Sequence, residues 1–253
     1  MDRPGTGQAQ GRSIVVMTAN LAAGLASDEQ VVAAIHHERP HIVAFQELLT
    51  EQAVRLERRL ARDFAHTSFI ADGNEGRGIL STFPIAWAHE MEISEGRPDI
   101  VSLIDVDGQD LFFVVAHPRP QKMTMTGLLF SFGSKRQILR LGKITNDAAT
   151  GILLGDLNMS PRHPGYSRLT DLGLVDAFAT GGKGAGNTFP TRVSSIRKRS
   201  DRLARQKVPP VVRFDYIFCT PNIIVDSAWV GTDTGSDHAP VLAKLRLPHP
   251  RDE

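Results

Sequence analysis

The chain moves between two hydrophobic rhythms. "SIVVMTANL" (Ser13–Leu21) and "HIVAFQEL" (His41–Leu48) are apolar at nearly every position, which predicts buried strands. Between them, Ser27 and Gln30 form a capping-box pattern ahead of "VVAAIHH". It predicts a helix from Asp28 to about Glu38, ended by Pro40. Thr50 is placed to cap a second helix, "EQAVRLERRLARDF", with Val54, Leu56, Leu60 and Phe64 on one buried face and arginines outside. "TSFIA" and "GRGILSTFPI" read as strands, and "DIVSLIDVDGQDLFFVVAHP" as two strands turning at Asp107-Gly108. "KRQILRLGKITNDA" and the first half of "YSRLTDLGLVDAF" read as helices, and "GILLGD", "RFDYIFC", "IIVDSAWVG" and "PVLAKLRL" as strands. Strand-helix-strand units mixed with a hairpin predict α/β layers with mixed or antiparallel sheets, not a doubly wound parallel sheet.

Length and composition narrow this further. A chain of 253 residues suits one large domain, expected over 13–248 behind a disordered, Gly- and Gln-rich lead-in at 1–12. No apolar stretch reads as a signal peptide or a membrane span, which predicts a soluble protein. The 29 Lys and Arg against 28 Asp and Glu advertise no polyanionic partner globally, so any charge recognition is local. One candidate stands out: seven basic residues against one acid from Arg192 to Lys207, an insertion inside the long loop Gly181–Pro210. The other long loop, Arg119–Gly133, mixes Met, Leu and Phe with flanking Lys and Arg, which suits a lid, a lipid-touching loop or a partly buried Ω-loop. The single cysteine, Cys219, sits in an apolar run and reads as a buried spectator. With no intrachain disulfide possible, a reducing, cytoplasmic setting fits.

Polar residues then recur where strands end: Asn20, Gln46-Glu47, His117, Asp156 and Asn158, Asp215, and Asp237-His238. Asp156 and Asn158, two apart at the end of a strand, are expected on one face, side by side. Loops leaving strand ends are where layered α/β folds bind ligands, so one polar site at one end of the molecule is expected. Singly, each residue has a bland explanation. Asn20 suits a turn, Gln46-Glu47 a helix start, His117 the surface, and Asp156 with Asn158 an Asx-turn. Asp215 suits an ion pair with Arg213, and Asp237-His238 a loop cap.

Their order tips the balance. "TANL", "AFQEL", "RGILSTFPI", "VVAHP", "GDLNMSP", "FDYIF" and "GSDHAPV" resemble, in order and from about Thr18 to Val241, the motifs of the endonuclease/exonuclease/phosphatase superfamily of metal-dependent phosphodiesterases. The resemblance implies a four-layer sandwich of two mostly antiparallel sheets flanked by helices. It also implies hydrolysis of phosphoesters with Mg²⁺ or Mn²⁺, a hard cation that takes oxygen ligands and leaves positions open to water and substrate. Glu47 is the first metal ligand it implies, with Asn20 beside it and Asp237 joining them. His238 is implied as general base or phosphate donor oriented by Asp215, with Asp156 as the alternative proton acceptor. Asn158 is implied as a phosphate donor, and His117 as a donor to phosphate or leaving group. Glu75 and Arg77 lie where family members carry a residue supporting the site histidine, and Thr188–Pro190 resembles a Thr-aromatic-Pro element of some bacterial members.

The substrate is less legible. Abasic-site endonucleases carry an acid where Ala22 stands and a tyrosine where His117 stands, so His117 instead matches the deoxyribonuclease- and sphingomyelinase-like branches. A nuclease on DNA or RNA is the first expectation. A phospholipid or small phosphate-ester hydrolase is the second, and a non-catalytic binding module on the same fold the third.

Overall fold

Two parallel strand pairs, one in each of two sheets, set the architecture. The computed structural model describes residues 11–70, 75–120, 122–124, 127–129, 132–193 and 205–248. Of the lead-in expected at 1–12, residues 1–10 lie outside the described residues, while Arg12 belongs to the fold, its carbonyl accepting from the Leu247 amide and its side chain pairing with Asp107. The middle of the basic insertion, 194–204, also lies outside the described residues. In the first sheet, β1 (Ser13–Asn20) runs parallel to β2 (Ile42–Gln46), with Asn20 opposite Gln46. A parallel pair needs a crossover, supplied by a short 3₁₀ turn and α1 (Asp28–Glu38). α1 begins as predicted: Ser27 Oγ accepts from the Gln30 amide at 3.3 Å. It ends on Arg39 in the left-handed region at φ 52°, with Pro40 next.

α2 (Thr50–Leu60) follows β2, but the cap falls on Leu49 and not on Thr50. Thr50 already lies inside the first turn, and no side chain caps the helix. The buried face is correspondingly Gln52, Ala53, Leu56 and Leu60, and Val54, one position round the helix, is 50 % exposed. β3 (His66–Ile70) and β4 (Arg77–Ser81) extend the first sheet. β5 (Ile85–Ser94) has no counterpart in the predicted elements, because its burial alternates irregularly at the edge of a sheet. β6 (Arg97–Val106) and β7 (Gln109–Val115) form the predicted hairpin, with Asp107 and Gly108 both at positive φ, 55° and 87°. A small hairpin, β8 (Lys122–Thr124) and β9 (Gly127–Leu129), occupies part of the second long loop and leads into α3 (Phe132–Asn146).

β10 (Gly151–Asp156), α4 (Pro164–Asp171), β11 (Val175–Asp176), α5 (Ala177–Gly181), β12 (Asp215–Cys219), β13 (Ile224–Val230) and β14 (Val241–Arg246) complete the chain. The sheet orders are β13-β14-β1-β2-β4-β3 and β11-β12-β10-β7-β6-β5. Among the described residues, the parallel pairs within these sheets are β1–β2 and β10–β7.

The layers follow from period-2 burial. Val16, Ile42 and Ile79 of the first sheet share one core with Ile100, Phe113, Ile152 and Ile217 of the second. The opposite faces carry Met17, Val43 and Phe45 under α1 and α2, and Val114, Leu153 and Phe218 under α3 and α4. The result is the expected sandwich, helices outside and two mostly antiparallel sheets inside. Among the described residues no helix is long and apolar enough to cross a membrane.

Gly155 lets β10 deliver Asp156. At φ 139°, a Cβ there would sit 1.9 Å from the Ala116 carbonyl oxygen. Gly155→Ala should therefore destabilise the protein by about 3 kcal/mol or more, combining a backbone clash with an unfavourable φ. Urea denaturation measures it, and a loss under about 1 kcal/mol would mean that this close approach is readily relieved.

Candidate functional site

The alternation that builds the core also builds the site. Along β1, Ile14 and Val16 face the other sheet, and Thr18 and Asn20 continue that row. Likewise Ile152 and Leu154 lead to Asp156, Phe113 and Val115 lead to His117, and Cys219 and Ile217 lead back to Asp215. Four polar side chains therefore line the end of the seam between the sheets. Glu47 is the exception. Val43 and Phe45 face the helices, so strict alternation would send Glu47 after them. A left-handed backbone at Glu47, φ 49°, breaks the pleat, and its carboxylate turns back to Asn20.

Asn20, 1 % exposed, accepts from the Ala22 amide through Oδ1 (2.8 Å) and donates through Nδ2 to Glu47 Oε1 and Asp156 Oδ2, each at 3.1 Å. It thus joins acids carried by two different sheets. His117 Nε2 lies 3.6 Å from both Glu47 Oε1 and Asp156 Oδ2. His238 Nδ1 lies 2.9 Å from Asp215 Oδ2, and its Nε2 lies 3.6 Å from Asp156 Oδ2. Asp237 stands close enough to raise Glu47 by charge repulsion, but it is outside the two tight groups of ligand atoms, Glu47–His117–Asp156 and Asp156–Asp215–His238.

Asn158 departs from the sequence expectation. β10 ends at Asp156, and Asn158 adopts φ 51° instead of an extended conformation. Its backbone N–H donates to Asp156 Oδ1 (2.8 Å), an Asx-type turn, and its Nδ2 donates to the Pro118 carbonyl (3.0 Å). The two side chains are linked through the turn, not through a shared strand face. Arg213 also differs: it pairs with Asp176 at 2.5 Å, leaving Asp215 to His238.

Behind His117 stands a buried polar group that the sequence reading caught only in part. Arg77, fully buried, donates to the His117 carbonyl (2.9 Å) and the Glu75 carbonyl (2.7 Å). Arg97, which sequence inspection missed, is ion-paired with Glu75 and lies 3.4 Å from His117 Nδ1. Asp99 accepts from the His117 amide through Oδ1, and both its carboxylate oxygens accept from Gln137 Nε2. "RPDIV", with two opposite charges flanking a proline at the start of an apolar strand, was the available signal. An arginine only donates, so the Arg97 contact favours Nδ1 as acceptor and a ring proton on Nε2, facing Glu47 and Asp156, against a Glu75 oxygen 3.6 Å from Nδ1.

The two histidines are electrically opposite. Burial, with the Arg77 and Arg97 charges, holds His117 well below its ordinary value and therefore neutral. Burial opposes the charge on His238 too, but Asp215 and Asp156 overcome it and raise the imidazole to about 10. Burial pushes Asp156 up to about 7 against the pull of His238, and it also raises Glu47. Asp215 Oδ1 is buried with no hydrogen-bond partner among the described residues. Raised acids whose oxygens converge lack counter-charge, and oxygen-rich donor sets of this kind suit a hard divalent cation. The residues fit such an ion.

A sequence model described as the Endonuclease/Exonuclease/phosphatase family matches residues 17–238. The chain belongs to that family. Solved structures share the family fold. An endonuclease/exonuclease/phosphatase from Beutenbergia cavernae superposes with a TM-score of 0.73 at 22 % identity, covering 94 % of this chain and 72 % of its own. TDP2 from D. rerio, complexed with single-strand DNA product, gives 0.68 at 19 % identity, covering 92 % and 99 %. The mannosyl-6-phosphatase Bt3783 of Bacteroides thetaiotaomicron gives 0.71 at 17 % identity, covering 92 % and 99 %. No curated protein matches the sequence at a significant level. Members of this family are hydrolytic phosphoesterases that use divalent metals, and the acids and imidazoles described above are this chain's candidate ligands.

The buried acids give this endonuclease/exonuclease/phosphatase family member a signed pH dependence. Folded, metal-free Asp156 keeps its proton up to about 7, against 3.8 when unfolded, so its contribution to stability falls as pH rises between those values. His238, raised from 6.5 to about 10, has the same sign above 6.5, where the lowered His117 contributes nothing. The melting temperature in EDTA should therefore fall from pH 6.5 to about 8, and Mg²⁺ or Mn²⁺ should raise it through binding to the native state. Calorimetry at several pH values checks both, and a profile in EDTA that rises over this range would contradict the burial of these charges.

Proposed function

We propose that this protein is a divalent-metal-dependent phosphodiesterase acting on DNA or RNA by in-line attack of water. The convergence of Asn20, Glu47, His117, Asp156, Asp215 and His238 from both sheets supports it. Glu47 would hold Mg²⁺ or Mn²⁺, with Asn20 beside it and Asp237 at the edge. Such an ion would supply Lewis-acid chemistry, neutralising phosphoryl charge so that an anionic nucleophile could approach the phosphorus.

The chain's own groups divide the remaining work. Asp156, buried and close to neutral pH in its titration, takes the proton of the attacking water. His238 keeps its proton, because Asp215 binds Nδ1, and offers Nε2–H to a phosphoryl oxygen. His117, neutral with its proton on Nε2, donates a hydrogen bond to the phosphate or the leaving oxygen. Asn158 fixes the loop after β10 through Pro118 and is the amide placed beside Asp156 to serve the phosphate.

Nucleic acid is favoured by what adjoins the site. The Arg192–Lys207 insertion closes at a neck where Val193 donates to the Gln206 carbonyl and Val208 to that of Thr191. Arg192 and Lys207 both bind Asp233, each at 2.6 Å, and Thr191 hydrogen-bonds to Ser236 and Asp237 beside His238. The neck of the insertion therefore lies against the loop that carries His238, and the insertion's Lys and Arg supply charge that can neutralise a phosphate backbone.

Plasmid, single-stranded DNA, RNA, sphingomyelin, phosphoinositides and bis-phenyl phosphate, each with Mg²⁺, Mn²⁺ or EDTA, test this. Metal-dependent cleavage of a nucleic acid is expected. Turnover of only a lipid or a small phosphate ester would move the substrate class, and inertness to all would leave a binding module. Glu47→Gln should abolish the metal-stimulated rate, and His238→Ala should lower it by about a hundredfold or more. Replacing Arg197, Lys198, Arg199 and Arg202 by glutamine should weaken nucleic-acid binding and flatten its salt dependence. In isotopically labelled water, the label should appear on the released phosphoryl group.

A further inference from the structure

The Asp215–His238 pair crosses the seam between the sheets. Asp215 opens β12 of one sheet, and His238 lies in the loop before β14 of the other. β12 and β14 belong to different ladders, so no strand pairing fixes the two residues relative to each other. Thr188–Thr191, which belongs to neither sheet, lies against both.

Thr188 is fully buried. Its Oγ accepts from two amides, Phe214 at 3.1 Å and Asp215 at 3.4 Å. Its carbonyl oxygen accepts from the Ala239 amide at 2.8 Å, directly after His238. Its own N–H donates to Val212 at 2.8 Å. One residue thereby holds the peptide groups next to both members of the pair. Its neighbours reinforce the arrangement. The Phe189 ring lies 4.6 Å from the His238 ring and 5.4 Å from that of Phe214. Thr191 donates from N–H to the Asp237 carbonyl (2.8 Å) and from Oγ to the Ser236 carbonyl (2.7 Å), while Ser236 Oγ accepts from the His238 amide.

We propose that Thr188 is a positioning residue: through its hydroxyl and its carbonyl it sets the distance between Asp215 and His238 across the seam. The role deepens the hydrolase function proposed above and rests on it for its catalytic consequence, though not for its geometric one. Two N–H groups converge on one hydroxyl oxygen, so valine, of nearly the same shape, leaves both without an acceptor. Serine keeps the acceptor.

The test uses the full-length protein. In wild type, the His238 Nδ1–H···Asp215 hydrogen bond should give a far-downfield proton NMR signal without substrate or metal. Thr188→Val should shift or abolish that signal and lower kcat about ten- to a hundredfold while KM stays within about twofold, because the group touches no substrate. Thr188→Ser should restore both. If the valine protein does not fold, Thr188→Ala, whose small cavity can admit a water to the two amides, carries the same expectation in weaker form. An unchanged signal and kcat in the folded valine or alanine protein, failure of serine to rescue, or absence of the signal from wild type would overturn the proposal. A wild-type protein that hydrolyses nothing would instead remove the hydrolase function, and the spectrum alone would then decide the role of Thr188.

Discussion

Charged groups held out of water at the open end of an apolar seam are the constraint the rest of the molecule serves. Two sheets bury their facing rows against each other, and at one end those rows turn polar: Asn20, Asp156, His117 and Asp215 continue lines that elsewhere read Ile, Val, Leu and Phe. Placing acids there is costly unless something answers them. Asn20 bridges two of them, His238 answers two, and Asp156 still rises to about 7. That residual deficit of positive charge is what makes these residues candidate ligands for a divalent cation.

The same environment gives two buried imidazoles contrary states. His238 is flanked by carboxylates and keeps its proton. His117 has arginines behind it and loses its proton. Arg77, Arg97, Glu75, Asp99 and Gln137 are in this sense part of the site, although they stand behind it: they hold the His117 backbone, and Arg97 favours a proton on its Nε2. A pair of titrating groups pushed apart by their surroundings is how one pocket offers a donor and an acceptor at one pH.

Backbone strain gathers at the same end. Glu47 and Asn158 occupy the left-handed region, Gly155 has φ 139°, and Ala22 and Ala23 beside Asn20 are at 51° and 47°. Such conformations persist where surrounding structure over-determines them. Here hydrogen bonds do so: Ala22 to Asn20, Ala23 to the Glu47 carbonyl, Asn158 to Asp156. The rigid sheets supply direction, and the strained residues just beyond their ends supply aim.

Most of the layers were legible from periodicity, because burial on one or both faces imprints itself on consecutive residues. The capping of α1 and the Asp107-Gly108 turn were equally plain, being local chemistry. The identities of Asn20, Glu47, His117, Asp156, Asp215 and His238 stood out as polar residues at the ends of apolar runs. The sequence could not decide how they meet. Glu47 reaches Asn20 only through a positive φ that no pattern announces, Asn158 leaves the strand that alternation would have kept it in, and Arg97 joins His117 across a hairpin. Nor could it show that Thr188 ties Asp215 to the His238 loop. Those contacts join residues brought together by strand pairing, by the turns just past strand ends and, at Thr188, by the facing of the two sheets, none of which a local run of residues encodes.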